Sequence, residues 1–215
     1  QRKLKRLISP FLLRRTKAEV LEELPEKTEI TLRVTLSDDE RALYETLRKR
    51  AADGLEAGVI TSFEALAELT KLRRAVCHPK LVDESLTFAS SKSEAFLDLV
   101  SDLMSGGHRT LVFSQFTSHL ALIRQELEAR GIDYLYLDGA TPAKERKALV
   151  EAFQTGTAPL FLISLKAGGT GLNLTAASTV VHYDLWWNPA VEDQATDRAH
   201  RIGQRRDVLV YSFIS

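Results

Sequence analysis

Apolar and polar positions follow two different patterns along the chain, and the first pattern covers the N-terminal part. Between Glu29 and Leu36 apolar and polar residues alternate, which predicts a half-buried strand because successive side chains of a strand point to opposite faces. A helix is predicted from Ser37, where Ser37 and Glu40 have the spacing of a capping box. A further helix is predicted from Ser62 to about Val76. This part of the chain is therefore expected to be mainly helical.

The second pattern begins at Ser93, where short apolar runs alternate with helical segments. This order of elements predicts a βαβ fold with a parallel sheet. Helices are predicted to begin near Ser93, Thr117, Thr141 and Asn188. Strands are predicted at Thr110–Phe113, Tyr134–Leu137, Leu160–Ile163, Thr179–His182 and Val208–Phe213. The expected fold class is therefore α/β, with a parallel sheet flanked by helices and preceded by a mainly helical extension.

Turn-forming residues agree with this division of the chain. Gly106 and Gly131 stand where helix C-terminal caps are expected, and Pro142 follows the cap candidate Thr141 at the first helical position. The weakly patterned, serine-bearing stretch Leu81–Ser91 marks the boundary between the two patterns. We therefore expect two regions, residues 1–91 and residues 92–215.

Composition limits the classes of protein that fit. The 29 Lys and Arg residues balance the 29 Asp and Glu residues, so any basic surface must be local. The apolar runs are shorter than a membrane helix, and the charged N-terminal stretch has no signal-peptide core, so we expect no membrane partner. The single cysteine, Cys77, excludes an internal disulfide and fits a reducing compartment, and it leaves no zinc cluster. Cys77 and the adjacent His78 are expected to be packing residues, and the chain is expected to be an excised fragment of an intracellular protein.

The segment QATDRAHRIGQ, which begins at Gln194, is a candidate anion site. If the segment is helical, Gln194, Arg198 and Arg201 lie near one another on one face, beside a stripe of small apolar residues. Two guanidinium groups directed together suit a multiply charged anion, since each donates in a planar fork to phosphate oxygens. Alternatively, the arginines form a solvated face and pair with the neighbouring acids Glu192, Asp193 and Asp197.

A glycine-rich loop, SLKAGGTGLNLT from Ser164, follows an apolar strand. Its glycines permit backbone conformations and close ligand approach that other residues prevent. In an open parallel sheet, ligands bind beyond the carboxyl ends of the strands, where this loop is expected to lie. The loop is therefore a candidate for phosphate or nucleic-acid contact. Such turns also occur without a ligand, and Lys166 could equally be a solvated lysine.

Two features of a complete ATPase site are missing from the sequence. GxxxxGK[ST], the loop that cradles the β- and γ-phosphates, does not occur, and no predicted strand ends in the acidic pair that would hold magnesium. The chain therefore cannot assemble a whole ATPase site alone, and we expect it to be inactive by itself.

Together these segments resemble the second RecA-like lobe of superfamily 2 helicase-like ATPases. Within that superfamily they are similar to the Swi/Snf family of double-stranded DNA translocases and chromatin remodellers. The motifs that carry the resemblance cover almost the whole chain: PFLLRRTKAEV from Pro10, LPEKTE from Leu24, LRRAVCHPKL from Leu72, LVFSQF from Leu111, YLDGATP from Tyr136, ISLKAGGTGLNLT from Ile163 and QATDRAHRIGQ. The resemblance implies a RecA-like, P-loop-NTPase-type sheet, with residues 1–91 as linker and helical protrusion and residues 92–215 as the second lobe.

The resemblance also implies a role for individual residues. Arg198 and Arg201 match the family's arginine fingers, which reach an ATP and Mg²⁺ held mainly by the absent first lobe, and Gln194 matches a residue that supports them. The positions matching the motif that couples nucleotide to DNA are Gly169, Gly171 and Asn173. The positions matching contacts to a DNA strand are Ser114, Gln115, Ser164 and Lys166. Trp187 matches an aromatic thought to approach DNA, although it could instead be a core residue, and the basic residues around Arg14 and Arg15 form either a further DNA-facing patch or a solvated face.

The function implied is half of a DNA-dependent ATPase. Its expected partners are double-stranded DNA, the first RecA-like lobe of the same polypeptide and a DNA-bound protein substrate. YDLWWN from Tyr183 and a compact protrusion depart from the eukaryotic remodeller pattern and resemble the bacterial or archaeal branch. That branch implies a nucleoid-associated protein in the cytoplasm, whereas a eukaryotic protein would be nuclear. Two other functions remain open: a non-catalytic binding module for nucleic acid or protein, and a lobe of a strand-separating helicase.

Overall fold

The computed structural model describes residues 24–167 and 171–215. The predicted basic segment around Arg14 and Arg15 lies outside the described residues, as do Gly168 and Gly169. The described helices are α1 (Asp38–Glu56), α2 (Ser62–Cys77), α3 (Ser91–Ser105), α4 (Thr117–Ala129), α5 (Ala143–Thr155) and α6 (Pro189–Thr196), with a 3-10 turn at Pro79–Leu81. The described strands are β1 (Lys27–Arg33), β2 (Thr110–Ser114), β3 (Tyr134–Leu137), β4 (Leu160–Ser164), β5 (Thr179–His182) and β6 (Val208–Ile214).

The strands form one six-stranded sheet in the order β1-β6-β5-β2-β4-β3, and all its pairs are parallel. Every residue of β2, β4 and β5 is buried, as expected for strands covered by helices on both faces. Alternate residues of β2 enter separate cores: Phe113 packs on one face and Val112 on the other. Helices α5 and α6 cover the first face, and α3 and α4 cover the second. The predicted α/β fold with a parallel sheet is confirmed.

The helical protrusion consists of α1 and α2, which pack through a small core around Leu47, Leu72 and Ala75. The predicted capping box at Ser37 is present: Glu40 N–H donates to the Ser37 hydroxyl, and Ser37 N–H donates to the Glu40 carboxylate. Glu40 is only 3% exposed, and its carboxylate also accepts the Ser91 N–H at 3.0 Å. One carboxylate therefore satisfies donors at the N-termini of both α1 and α3, which anchors the protrusion to the sheet domain.

Several predicted boundaries need correction. Strand β1 covers Lys27–Arg33 rather than Glu29–Leu36, because its ladder is set by pairing with β6 from Lys27 opposite Val208. This strand joins the sheet from within the predicted first region, so the sheet itself crosses the expected boundary at residue 91. Helix α5 begins at Ala143 with Pro142 as its N-cap residue, one residue later than expected. Thr141 does not cap it, because its hydroxyl accepts the Asp138 N–H instead.

Candidate functional site

The carboxyl ends of β2 and β4 lie side by side and bring two of the predicted loops together. Ser114 and Ser164 are paired in register at the last positions of these strands. Leu165, the second residue of the glycine-rich loop, donates its N–H to the Ser114 carbonyl at 2.9 Å. The loops after β2 and β4 are therefore neighbours, where an open parallel sheet places its ligand site.

The four residues predicted to contact DNA differ in how they are exposed. Ser114 and Ser164 are 0% and 2% exposed, and their hydroxyls are used inside the protein. Ser164 accepts the Ala167 N–H at 3.3 Å, which shapes the start of the loop. Gln115 is half-buried and Lys166 is exposed, so these two side chains are accessible. In this conformation the serines shape the loops, and the accessible polar surface comes from Gln115 and Lys166.

Asp184 organises the turn after β2 and was not expected from the sequence. Its carboxylate accepts the Ser114 hydroxyl and, at 3.1 Å, the Gln115 N–H, across 69 or more residues of chain. The side chain is 4% exposed. Burial raises the pKa of Asp184, and the hydrogen bonds from Ser114 and Gln115 act in the opposite direction. Asp184 lies two residues beyond the end of β5. A carboxylate just after a predicted buried strand is the feature of the sequence from which its role could have been predicted.

Arg198 is a buried cation beneath the loops of this edge. It is 5% exposed, and its guanidinium carbon lies 5.2 Å from the centre of the Phe113 ring. Its Nη1 atom has no hydrogen-bond partner within the described ranges 24–167 and 171–215. Burial lowers the pKa of Arg198 to about 10. The interpretation of Arg198 as part of a solvated face is therefore wrong.

The segment that carries Arg198 is not one continuous helix, contrary to the expectation for Gln194–Gln204. Helix α6 ends at Thr196, and turns follow. The Arg198 carbonyl accepts the Leu174 N–H at 3.0 Å, and the Ala199 carbonyl accepts from the Gln204 side chain at 3.1 Å. A helix through Gln204 would need those carbonyls for its own N–H groups four residues on, so these hydrogen bonds compete with a helix beyond Arg198. Gln194 is consequently exposed on α6, Arg198 is buried and Arg201 is half-buried, and the three do not form one helical face.

Gln204 fixes this turn from within. Its amide nitrogen donates to the carbonyls of Ala177 and Ala199, and its amide oxygen accepts the N–H groups of Arg205 and Arg206. Gln204 is 7% exposed, and the two bonds that its amide nitrogen donates are buried. The amide therefore holds the turn around Arg198 against the segment that leads into β5.

His182, at the end of β5, supports the same region as a neutral ring. Its Nε2 lies 2.8 Å from the Thr196 hydroxyl, and the ring stacks on Phe113 at 5.8 Å. Burial lowers the pKa of His182 to about 4, and the charge of Arg198 contributes in the same direction. A neutral imidazole beside Arg198 adds no positive charge to the site near neutral pH.

The described part of the glycine-rich loop borders a surface cavity of about 550 Å³. Gly171 and Asn173 are exposed and line it, together with Arg146 and Lys147 of α5. Arg146 donates to four backbone carbonyls, at Asp138, Gly139, Thr141 and Ala167, at 2.8 to 3.3 Å. This guanidinium therefore joins the turn after β3 to the start of the glycine-rich loop.

The two adjacent tryptophans have different surroundings. Trp186 is half-buried against the core, and its backbone N–H donates to the Glu192 carboxylate. Trp187 is 59% exposed, so its interpretation as a core residue is wrong. The guanidinium of Arg73, from α2, lies 4.4 Å from the centre of the Trp187 ring. Trp187 therefore presents an aromatic surface in the turn after β5, which is bonded to the loop after β2 through Gln115 and the Leu185 carbonyl.

Buried groups outside this edge behave as packing residues. Cys77 is 2% exposed, and burial raises the pKa of its thiol to about 12. Burial lowers the pKa of His78 to about 4.

None of the helices within the described residues is both long enough and apolar enough to cross a membrane.

An all-parallel sheet with helices on both faces and with arginine, glycine and amide groups at its carboxyl edge defines a RecA-like lobe. The sequence model of the helicase conserved C-terminal domain matches residues 91–203, and that of the SNF2-related domain matches residues 1–81. The chain belongs to the helicase conserved C-terminal domain family and, within superfamily 2, is of the Swi/Snf type.

Relatives and solved structures agree with this family. The chain is 40% identical over 209 residues to a Mycoplasma pneumoniae protein named uncharacterized ATP-dependent helicase, which covers 96% of this chain but 20% of that protein. The Sulfolobus solfataricus SWI2/SNF2 ATPase core in complex with dsDNA is 32% identical, with a TM-score of 0.76, over 100% of this chain and 47% of that one. The C-terminal domain of the Sulfolobus solfataricus SWI2/SNF2 ATPase is 27% identical, with a TM-score of 0.73, over 88% of this chain and 80% of that domain. The chain thus spans about a fifth of the first curated relatives it matches.

Proposed function

We propose that this chain is the second motor lobe of an ATP-driven double-stranded DNA translocase, and that it supplies Arg198 and Arg201 to a nucleotide held mainly by a first lobe. ATP would be the substrate at the interface between the two lobes. DNA would bind across the loops that follow β2 and β4. The cleft would close and open with each cycle of hydrolysis, which moves the DNA in steps.

The observation that carries this proposal is the burial of Arg198 with no counter-charge shown among residues 24–167 and 171–215. Taking a cation out of water is costly unless an anion or several hydrogen bonds compensate. The cause of its lowered pKa is burial, and Nη1 has no hydrogen-bond partner in the described part of the chain. Nη1 is buried in this conformation, so a phosphate oxygen presented from across a cleft would supply the missing partner only after the Arg198 side chain or its surroundings move. A guanidinium placed in this way stabilises the charge that develops on the transferred phosphoryl group.

The residues of this chain fit one side of such a nucleotide site. Arg198 supports charge stabilisation directly, and the half-buried Arg201, three residues on, has room to reach outward. Gln194 is exposed on α6, at the same edge, where it could contact the arginine or the nucleotide after closure. The elements that hold Mg²⁺ in such a site, GxxxxGK[ST] and a strand that ends in an acidic pair, do not occur in this sequence. The proposal therefore has the metal held mainly by the first lobe.

The glycine-rich loop is suited to communicate between nucleotide and DNA. Near its start the Leu165 N–H donates to the carbonyl of Ser114, the last residue of β2, and near its end the Leu174 N–H donates to the carbonyl of Arg198. Gly171 and Asn173 lie between these two attachments, as does Gly169. A displacement of Arg198 on nucleotide binding would therefore be transmitted to the glycine-rich loop after β4 and, through Leu165, to the end of β2, where the proposed DNA contacts lie.

The proposed DNA contacts are made to the backbone. Gln115, Lys166 and Trp187 are the accessible groups, while Ser114 and Ser164 act through loop geometry and backbone groups. Phosphate contacts position a protein without reading sequence, so binding should be insensitive to sequence and strongly dependent on salt. The complex of the Sulfolobus solfataricus relative with dsDNA supports duplex DNA as the ligand. A DNA-bound protein as the displaced object, and the nucleoid or the nucleus as the location, stay predictions.

The test uses the intact two-lobed protein and the substitutions Arg201→Ala and Arg198→Lys. We expect DNA-stimulated hydrolysis to fall by about 10³-fold or more, because an arginine finger contributes about 10³ to 10⁵ in turnover, while ATP binding measured by titration is largely retained. Arg130→Ala, at the C-terminal end of α4, is a charge-matched control and should leave hydrolysis unchanged. Unchanged turnover in both finger variants would overturn the assignment.

The inactivity of the chain alone is tested by reconstitution. The 215-residue chain should hydrolyse no ATP, and addition of a separately prepared first lobe should restore DNA-stimulated hydrolysis. Binding of DNA by the chain with no hydrolysis after reconstitution would instead favour the non-catalytic binding module.

A strand-separating helicase is the second candidate, because the Mycoplasma relative is named as an ATP-dependent helicase. A translocase should displace a protein roadblock, or a third strand, from duplex DNA without separating the two strands. Release of a labelled strand from a forked duplex with ATP would favour the helicase.

A further inference from the structure

Arg73 links the helical protrusion to the turn that carries Trp187. It lies on α2, and its Nη2 donates to the carbonyl oxygen of Leu185, 112 residues further along the chain. Its guanidinium also lies 4.4 Å from the centre of the Trp187 ring, a distance typical of a cation–π contact. One side chain therefore holds both the backbone and the aromatic ring of this turn.

The same turn is fixed from its other side by the loop after β2. Asp184 accepts the Ser114 hydroxyl and the Gln115 N–H, and the Gln115 side chain reaches the Leu185 carbonyl at 3.5 Å. The Leu185 carbonyl thus lies between Arg73 and Gln115. The turn connects the protrusion to two of the residues predicted to contact DNA.

Few other groups fix the indole of Trp187. Cavities of about 150 and 350 Å³ adjoin Arg73, and the larger one is also lined by Trp187, Tyr44 and Leu69. The ring is 59% exposed, so core packing does not determine its orientation. A planar guanidinium can stack on the indole and donate to a carbonyl at the same time, which a lysine ammonium does less well.

We propose that Arg73 is a positioning residue, through which the helical protrusion sets the orientation of Trp187 toward DNA. The DNA part of this inference rests on the proposed function, whereas the positioning part concerns this chain alone. Arg73 makes the link with the two contacts already described, to the indole and to the Leu185 carbonyl. The protrusion then takes part in DNA binding without touching the nucleic acid.

The positioning step is tested first, by fluorescence of the 215-residue chain. The chain has two tryptophans, so Trp186→Phe leaves Trp187 as the single emitter. In that background we expect Arg73→Ala to lower the steady-state anisotropy of Trp187 and to raise its quenching by acrylamide. Arg73→Lys should give an intermediate result. Lys71→Ala, which removes the same charge from α2 away from the turn, should change neither signal. Equal anisotropy and quenching in all variants would overturn the inference.

The functional step is tested in the intact two-lobed protein by a double-mutant cycle. Arg73→Ala should raise the DNA concentration that gives half-maximal ATPase stimulation by about 5-fold, the size expected for the loss of about 1 kcal/mol from one cation–π contact. Trp187→Ala should raise it at least as much, and the double variant should match Trp187→Ala alone, because Arg73 acts through the ring. Additive effects would overturn the inference, since Arg73 would then act on DNA independently.

The two failures are distinguishable. If Trp187→Ala leaves DNA stimulation unchanged while Arg73→Ala frees the indole, Trp187 has no DNA role, and that part of the proposed function is wrong. If Trp187→Ala weakens stimulation while Arg73→Ala alters neither the indole nor the stimulation, the proposed function stands and the positioning role of Arg73 is wrong.

Discussion

Leu174 donates its backbone N–H to the carbonyl oxygen of Arg198 at 3.0 Å. This bond joins the end of the glycine-rich loop to the turn that holds the buried guanidinium, at the point where α6 has already ended. Arg198 is therefore tied to the glycine-rich loop by its backbone, while its Nη1 has no hydrogen-bond partner among the described residues. Replacement of Arg198 should consequently change the stability of the chain and the activity of the two-lobed protein in opposite directions.

Replacing Arg198 by an apolar residue should stabilise the chain and inactivate the motor. Arg198→Met removes a buried charge that lacks full compensation and keeps a similar volume, so we expect the free energy of unfolding to rise by about 1 to 3 kcal/mol, as for other buried charges replaced by apolar groups. Urea unfolding of the chain measures the first effect, and ATP hydrolysis by the two-lobed protein measures the second. A less stable Arg198→Met chain would show that the guanidinium is already compensated in the isolated lobe.

Gln204 should matter for stability more than its place in a surface turn suggests. Gln204→Ala leaves two carbonyls and two N–H groups without their partner, and we expect a loss of about 1 to 3 kcal/mol in the free energy of unfolding. The measurement is urea unfolding. The matched control is Gln194→Ala on the exposed face of α6, which should stay within about 0.5 kcal/mol of the unsubstituted chain. Equal stabilities of the two variants would contradict a structural role for the Gln204 amide.

Acid should destabilise the fold in part through His182. The pKa of His182 falls from an ordinary 6.5 to about 4 on folding, so below pH 6.5 the unfolded chain binds a proton that the folded chain does not. The stability contributed by the neutral ring is complete above pH 6.5 and is lost as the pH falls toward 4. From about 1.4 kcal/mol per pKa unit, the loss is a few kcal/mol.

The measurement for His182 is a difference between variants. The raised pKa of Asp184 gives the opposite slope above its ordinary value of 3.8, so the total pH dependence mixes several groups. Urea unfolding is measured at pH 7 and at pH 5. Between these two pH values the free energy of unfolding should fall less for His182→Gln than for the unsubstituted chain. An equal loss in His182→Gln would remove His182 from the account.

Salt should weaken DNA binding in proportion to the phosphate contacts that the lobe makes. Lys166 is exposed beside the paired ends of β2 and β4, so Lys166→Ala should reduce the slope of log K against log salt by about 1. The effect should be the same for duplexes of different sequence. Fluorescence anisotropy of labelled duplexes between low and moderate salt measures the slope. Lys49→Ala, on the exposed face of α1, should not alter this slope. If Lys166→Ala also leaves the slope unchanged, Lys166 is a solvated lysine that makes no phosphate contact.

The sequence predicted the sheet well because the burial of its strands leaves a local signal. Tyr134–Leu137 and Thr179–His182 match the observed strands at both ends. In the βαβ region the other strands, such as Thr110–Ser114, extend one residue beyond the prediction. Apolar runs bounded by turn residues identify such strands without knowledge of their partners.

The details of the site depended on contacts that are distant in sequence. Helical spacing from Gln194 to Gln204 could not show that the Arg198 carbonyl accepts the Leu174 N–H, 24 residues away in sequence, where a continuing helix would need that carbonyl. Ser114 was predicted from its motif as a DNA contact, but its hydroxyl is bonded to Asp184, 70 residues further on. Local patterns therefore identified the polar segments of the edge, whereas tertiary hydrogen bonds decided which of their side chains face outward.

The shared carboxylate of Glu40 limits how the protrusion can move. It accepts N–H groups at the first turns of both α1 and α3, and the Ser91 hydroxyl also donates to it at 2.5 Å. Swinging the α1–α2 hairpin away from the sheet would break the bonds from Ser91 to this carboxylate and leave the first turn of α3 without this acceptor, whereas the capping box within α1 would stay intact. The α1–α2 hairpin is therefore expected to move together with the sheet domain. A displacement of its far end would act on the first turn of α3 through Glu40 and Ser91.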